Sequence, residues 1–244
     1  MNTPPFNQHE FAIRCEWGLH GVAALQSNSD VIIIVDVLSF STCVDVAVGG
    51  GALVYPYARN DESVVEFAAS LSAILARPRH SAAGGYSLSS ASLRTIPPGT
   101  RLVLPSPNGA TLSRASQAPT LAGCLRNARA VARAAQTIGA QISVIAAGER
   151  WPDGSLRPAI EDLIGAGAII AHLAGNRSPE AESAARMFQA IEAVLAWFLT
   201  QCGSGRELIG QGFVDDVQIA AELNVSDCVP ILRDEAYQPW SVNQ

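Results

Sequence analysis

Asp36 stands directly after five consecutive apolar residues, Val31 to Val35. A carboxylate buried alone is costly, so at the carboxyl end of a buried strand it must be hydrogen-bonded, paired or bound to a metal ion. Capping of the next helix would also account for it. Glu161 and Asp162 open an amphipathic segment where the helix dipole favours acids. Adjacent carboxylates point in different directions, so one can face a strand end while the other serves the cap. Oxygen donors of this kind suit Mg²⁺ rather than zinc. The four histidines, at 9, 20, 80 and 172, are scattered and unpaired with cysteine. Asp36, Glu161 and Asp162 are therefore the metal-ligand candidates, with Mg²⁺ as the cofactor.

Ser39, Ser41 and Thr42 fall at the start of the helix expected after Asp36, where free N–H groups and the dipole attract anions. Ordinary capping explains any one of them; three together also suit a phosphate or sulfonate. Pro105 to Gly109 reads P-S-P-N-G, a turn stiffened by proline, in which Asn108 could orient a substrate and the amide near Gly109 could hold an oxygen. Between Gly148 and Asp162 six of fifteen residues are charged. Arg150 and Arg157 there offer forked donors for an anionic oxygen.

All 16 basic residues are arginine. Without lysine, Schiff-base chemistry, pyridoxal phosphate anchoring and the P-loop amine are excluded. The G-x-S-x-G elbow of a serine hydrolase is missing. Gly49 to Gly51 do not make a dinucleotide fingerprint, and Leu38 occupies the place of the second acid in a D-x-D phosphatase.

The elements that must position these groups alternate strand and helix. Val31 to Val37 is a strand buried on both faces, followed by a helix closed by glycines. Ala52 to Tyr57 is the next strand, and Asn60 caps a helix running to about Ala76. Residues 77–99 form a long irregular loop. Strands at 101–104 and 142–146, an edge strand at 11–17, and helices from Gly109, 126–138 and from Ala159 follow the same order. Ser178 to Thr200 is a long helix with proline in its first turn. Helices near 205–211 and 214–223 and a strand near 229–232 complete the chain. The pattern gives one α/β domain over 1–244, a three-layer α/β/α fold with a mostly parallel or mixed sheet and a helical C-terminal portion.

With 244 residues, a net charge of −6 and no basic block, nucleic-acid binding is not expected. The longest apolar stretch, Leu163 to Ala174, is too short for a bilayer and contains His172. Five cysteines with no C-x-x-C pair fit reduced thiols in a cytoplasmic protein. Only 16% of residues are charged, which suggests apolar surface covered by a second copy, a dimer.

Several strings, in order along the chain, resemble the 2-phosphosulfolactate phosphatase (ComB-like) family: D-V-L-S-F-S-T (36–42), P-S-P-N-G-A (105–110), G-C-L-R-N-A-R-A-V-A (123–132), A-A-G-E-R (146–150), E-D-L-I-G-A-G-A (161–168) and G-F-V-D-D-V-Q-I-A-A-E-L-N-V (212–225). The resemblance implies Mg²⁺-dependent hydrolysis of 2-phosphosulfolactate to sulfolactate and phosphate. It implies site positions at Asp36, Thr42, Asn108, Gly109, Asn127, Glu161 and Asp162, with Asp216 a weaker addition. Two departures stand out. Ser39 replaces the arginine of a usual D-V-L-R, and 77–92 lacks the usual acids and asparagine. Arg79 or Arg150 could replace that arginine in space.

The expectation is thus a phosphatase for a small anionic phosphate ester. Asp36, Asn108, Asn127 and Arg150 are its catalytic residues, and Ser41, Thr42, Gly109 and Arg157 bind substrate. The rival is a non-catalytic phosphate- or sulfonate-binding protein that keeps the pocket.

Overall fold

A computed structural model describes residues 5–58, 61–81 and 85–241. The first half of the chain forms β1 (Ile13–Trp17), α1 (Gly18–Leu25), β2 (Val31–Val35), α2 (Phe40–Gly49), β3 (Leu53–Tyr57), α3 (Ser63–Ser70), β4 (Ile74–Leu75), α4 (Ser90–Leu93), β5 (Arg101–Pro105) and α5 (Gly109–Ala115). It continues with β6 (Thr120–Gly123), α6 (Ala128–Ile138), β7 (Ile142–Ala146), β8 (Glu149–Arg150), β9 (Leu156–Arg157) and α7 (Ile160–Ala171). Helices α8 (Pro179–Ile191), α9 (Leu195–Gln201), α10 (Gly203–Gly210) and α11 (Val214–Ala220) lead to β10 (Pro230–Arg233) and β11 (Ala236–Pro239).

Nine strands make one mixed sheet in the order β1-β7-β2-β6-β10-β11-β3-β5-β4, with β8 and β9 a separate ribbon. The continuous β-branched run of β2 sits at its centre because both faces are covered. Val31, Ile33 and Val35 join one core with α6, α7 and α8. Ile32 and Ile34 join another with α1 and α5. Phe40, Val44 and Val48 of α2 pack with Val54, Leu102, Leu104 and Tyr237. Helices therefore cover both faces, as a three-layer α/β/α fold requires.

Strands β1, β7, β2 and β6 are parallel to one another, as are β3, β5 and β4. The β10–β11 hairpin joins these blocks through three antiparallel junctions, so the blocks run in opposite senses. The turn after β5 still reaches the end of β2, where the Gly109 amide meets Asp36.

The structure departs from the sequence reading in a few places. The helix expected to run to Ala76 ends at Ser70, because Ser72 turns left-handed (φ +50°) and the chain re-enters the sheet as β4. The expected cap Asn60 lies outside the described residues. The helix expected to end at Thr200 is broken by a 3₁₀ turn at Glu192–Val194, which re-aims Leu195 and Leu199 into the core that holds Phe188. Ser178 caps its start, accepting from the Ala181 amide. The strands β6 and β11 escaped notice because T-L-A-G and A-Y-Q-P carry little β-branched character. Gly123 in β6 is dictated by packing: a Cβ there would lie 2.6 Å from Ile169 Cδ1 and 2.8 Å from Ile33 Cγ2.

Candidate active site

Two buried carboxylates lie near the carboxyl ends of the neighbouring parallel strands β2 and β7, close enough that the charge of Asp36 raises the carboxyl of Asp162. Asp36 Oδ1 accepts from the Phe40 amide at 3.0 Å and Oδ2 from the Gly109 amide at 2.9 Å. Asp162, in the first turn of α7, accepts through Oδ1 from the Val37 amide at 2.7 Å and through Oδ2 from the Gly148 amide at 2.8 Å. Asp36 thus ties the β2–α2 loop to the start of α5. Asp162 ties the ends of β2 and β7 to α7. Their burial is 5% and 3% exposed respectively.

Gly109 and Gly148 are required by these bonds. At Gly109 a Cβ would sit 2.4 Å from Phe40 Cδ1 and 2.8 Å from Asp36 Oδ2. Gly148 has φ +70°, and its Cβ would meet Leu156 Cδ1 at 2.6 Å. Only glycine allows either amide to come so close to its carboxylate.

Burial, then the charges of Glu149 and Glu161, push the Asp36 carboxyl up to about 6, against the lowering effect of its two amide bonds. Burial, then Asp36 and Glu161, hold Asp162 well above the usual carboxylate range. Among the described residues no arginine or histidine forms an ion pair with either group. The result is a concentration of negative charge that a bound cation would relieve.

Above this pair lies the Pro105–Gly109 turn, where Asn108 Nδ2 donates to Glu149 Oε2 at 2.9 Å. Two cavities flank the turn. One, about 280 Å³, is lined by Asn108, Glu149, Arg150, His20 and Trp17 among others. The other, about 400 Å³, opens on the opposite flank between Ser106, Pro107 and the segment 76–80.

A family profile described as 2-phosphosulpholactate phosphatase matches residues 22–235, nearly the whole chain. The chain belongs to that family. It is 34% identical over 136 residues to the 2-phosphosulfolactate phosphatase of Methanothermobacter thermautotrophicus, an alignment spanning 56% of this chain and 58% of that protein. The chain therefore matches somewhat over half the length of that relative. It is 30% identical over 217 residues to a probable 2-phosphosulfolactate phosphatase of Carboxydothermus hydrogenoformans, covering 84% of this chain and 87% of the relative.

Within this 2-phosphosulpholactate phosphatase fold the residues singled out from sequence separate into two groups. Asp36, Asp162, Asn108 and Gly109 converge. Glu161, also buried, is turned toward the Cys202 thiol, which burial and then the Glu161 charge push up to about 12. Of the two neighbouring acids, Asp162 is the one bonded to the strand ends.

The amides expected to cradle an anion are already engaged. Those of Phe40 and Gly109 hold the Asp36 carboxylate, and that of Ser41 donates to the Asp36 carbonyl at 2.8 Å. The Ser41 hydroxyl donates to Ile34 O and accepts from the Asp36 amide, and the Thr42 hydroxyl donates to Val37 O. Both side chains bond the main chain of the loop, and the buried aspartate takes up the amides of Phe40 and Gly109 that were expected to be free for an anion.

Asn127 also differs from expectation. Fully buried, it accepts from the Cys124 amide and donates to Ala122 O and Cys228 O. It fastens β6 and the C-terminal segment instead of touching the site. Asn127→Ala is expected to cost roughly 2–4 kcal/mol, from orphaned main-chain groups, in chemical denaturation. Activity per folded molecule should stay within a few-fold of the parent.

Arg150 bonds Gly154 O and Pro107 O, lying exposed over the turn. Arg157 reaches Ser204 Oγ at 3.4 Å and stacks on Trp151, away from Asp36. Asp216 accepts from Ser89, Ser90 and the Ala91 amide through Oδ1, so it organises the start of α4.

Glu149 was missed as a site residue, although it lies inside the charged run 148–162 that marked the loop. Arg79 is the other addition. Its Nη2 donates to Ser39 Oγ at 2.6 Å, so of the two arginines considered as replacements at Ser39, Arg79 reaches it and Arg150 does not.

Proposed function

We propose that the chain is a Mg²⁺-dependent phosphatase that hydrolyses a small acidic phosphate monoester, 2-phosphosulfolactate, to sulfolactate and phosphate. The observation that carries this reading is the pair Asp36 and Asp162, buried, amide-bonded and, among the described residues, without an ion-pair partner. Family membership supports the substrate class.

The donor set bears on the metal. Among the described residues no three His, Cys, Asp or Glu side chains gather into a ready-made metal cage. Mg²⁺ is commonly held by one or two carboxylates, with waters and phosphate oxygens completing its shell. Each oxygen of Asp36 and Asp162 accepts one amide bond and keeps a second lone pair. In this reading Asp36 and Asp162 hold the ion. A bound Mg²⁺ would supply a Lewis acid that offsets charge on the transferring phosphoryl group.

The protein's own residues have separable tasks. With both oxygens fixed by amides beneath the turn, Asp36 is suited to holding position rather than to attacking phosphorus. Asn108 orients the ester from the turn, its own geometry fixed by Glu149. Water then supplies the oxygen that replaces the ester oxygen on phosphorus. Glu149, on the wall of the 280 Å³ cavity, is placed to accept the water's proton and to return it to the sulfolactate oxygen as the ester P–O bond breaks.

Release of phosphate from 2-phosphosulfolactate by the purified protein, before and after EDTA and again with added Mg²⁺, tests the reading. Hydrolysis that stops with EDTA and returns with Mg²⁺ is expected. Tight binding of the ester without phosphate release, with Mg²⁺ present, would instead establish a binding protein; hydrolysis indifferent to EDTA would remove the metal.

A further inference from the structure

The 400 Å³ cavity carries basic side chains, Arg77, Arg79 and His80, and no acid among the described residues that line it. In a chain of net charge −6 such a wall is out of character. It faces the flank of the Pro105–Gly109 turn formed by Ser106 and Pro107. The opposite flank, with Asn108 and Glu149, faces the 280 Å³ cavity.

Arg79 is the organised member of this wall. Nη2 donates to Ser39 Oγ at 2.6 Å, and the guanidinium lies over the Phe213 ring, 5.5 Å from its centroid. Ser39 adjoins Phe40, whose amide holds Asp36, so one short stretch of chain joins Arg79 to the carboxylate pair. On its other side Nε lies 3.8 Å from Asp216 Oδ2. That is an ion-pair distance but too long for a hydrogen bond. Among the described residues neither Nε nor Asp216 Oδ2, both shielded from solvent, has a hydrogen-bond partner. Buried polar atoms are nearly always satisfied; Nε is shut off from solvent and faces Asp216, so the rest of the guanidinium fork is what a ligand in the cavity would meet.

We propose that this cavity is the subsite for the second acidic group of the substrate, and that Arg79 is its specificity-determining residue, with Arg77 contributing charge. The inference rests on the phosphatase reading and deepens it. The distal oxyanion of the ester, sulfonate or carboxylate, would lie against Arg79. Asp216 and Ser39 hold the guanidinium in place while leaving part of its fork for the ligand. Arginine suits the task because its planar donors match an oxyanion in two places at once.

The test compares Arg79→Gln, Arg79→Lys and Arg77→Gln with the parent on three esters in Mg²⁺: 2-phosphosulfolactate, 2-phospholactate and p-nitrophenyl phosphate. The last has no second acid. Arg79→Gln is expected to raise KM for 2-phosphosulfolactate by roughly 10- to 100-fold, the scale of a lost charged hydrogen bond. The KM change for p-nitrophenyl phosphate should be at least fivefold smaller, and kcat should change little on either ester. Arg79→Lys should recover part of the loss and Arg77→Gln should show a smaller one. An equal KM loss for 2-phospholactate would assign the carboxylate to the cavity, and a lesser loss would assign the sulfonate. Equal changes on all three esters, or none, would overturn the proposal. If Arg79→Gln fails to fold, Arg77→Gln decides by the same comparison. Parent protein that hydrolyses none of the esters would overturn the phosphatase reading itself, a result distinct from either.

Discussion

Asp36→Asn should lower the rate of ester hydrolysis by roughly 100- to 1000-fold, the scale on which loss of one preorganised charge acts at a reacting centre, while the protein remains folded at pH 7. The two halves of that expectation have one cause. In the metal-free protein Asp36 titrates near 6, above the ordinary 3.8, because burial disfavours its charge. Between those values the folded state binds more protons than the unfolded one at this group, so the contribution of Asp36 to stability is greatest below pH 3.8 and is lost as pH rises through about 6. At pH 7 the charge then costs on the order of 3 kcal/mol, taking about 1.4 kcal/mol for each pH unit. Asparagine removes that cost but can accept only one of the two amides that Asp36 holds, and the second is left unpaired at about 1–3 kcal/mol. The two effects nearly cancel. Thermal melting in EDTA should therefore give similar midpoints for parent and variant at pH 7, with the parent gaining relative stability as pH is lowered toward 4. A variant that hydrolyses the ester at the parental rate would remove Asp36 from its role.

Gly109→Ala should damage both folding and activity, although it adds a single methyl group. The new Cβ would overlap Phe40 Cδ1 at 2.4 Å and crowd Asp36 Oδ2 at 2.8 Å. Phe40 cannot easily yield: it is fully buried and packs edge-on against Tyr237, itself fully buried. Overpacking of this kind costs about 1–3 kcal/mol, and loss of the amide bond to Asp36 adds about 1 kcal/mol or more. For a chain of this size the melting midpoint should fall by roughly 5–15 °C. Hydrolysis should fall at least tenfold per folded molecule, because the carboxylate moves with the turn. Gly210→Ala is the matched control. Nothing lies within 4 Å of its Cβ, so its midpoint should be unchanged or slightly raised. Equal midpoints for the two variants would contradict the close approach of the turn to Asp36.

Much of this arrangement was legible in the residues because the signals were local. An unbroken V-I-I-I-V can satisfy itself only inside a sheet covered on both faces, and an acid immediately after it had to be engaged at the strand end. The P-S-P-N-G turn announced itself through proline and glycine, and adjacent acids at a helix start had to diverge. What stayed hidden depended on distant chain segments. Ser41 and Thr42 look like anion ligands until Asp36 is seen to occupy the amides around them. Asn127 looks polar and available until β6 and the segment before β10 close over it. The pairing of β10 and β11 between two parallel blocks rests on long-range contacts that no short window encodes. Arg79 reaches Ser39 across forty positions. Only the missing arginine at 39 pointed to it.

The central claim is that Asp36 and Asp162 share one divalent ion. It is tested most directly by soaking crystals of the protein with Mn²⁺, as a stand-in for Mg²⁺, and locating the ion from its anomalous signal. The account predicts one strong peak within about 2.5 Å of a carboxylate oxygen from each aspartate. A peak held by other side chains, with both aspartates bonded only to their amides in protein that hydrolyses the ester, would contradict it.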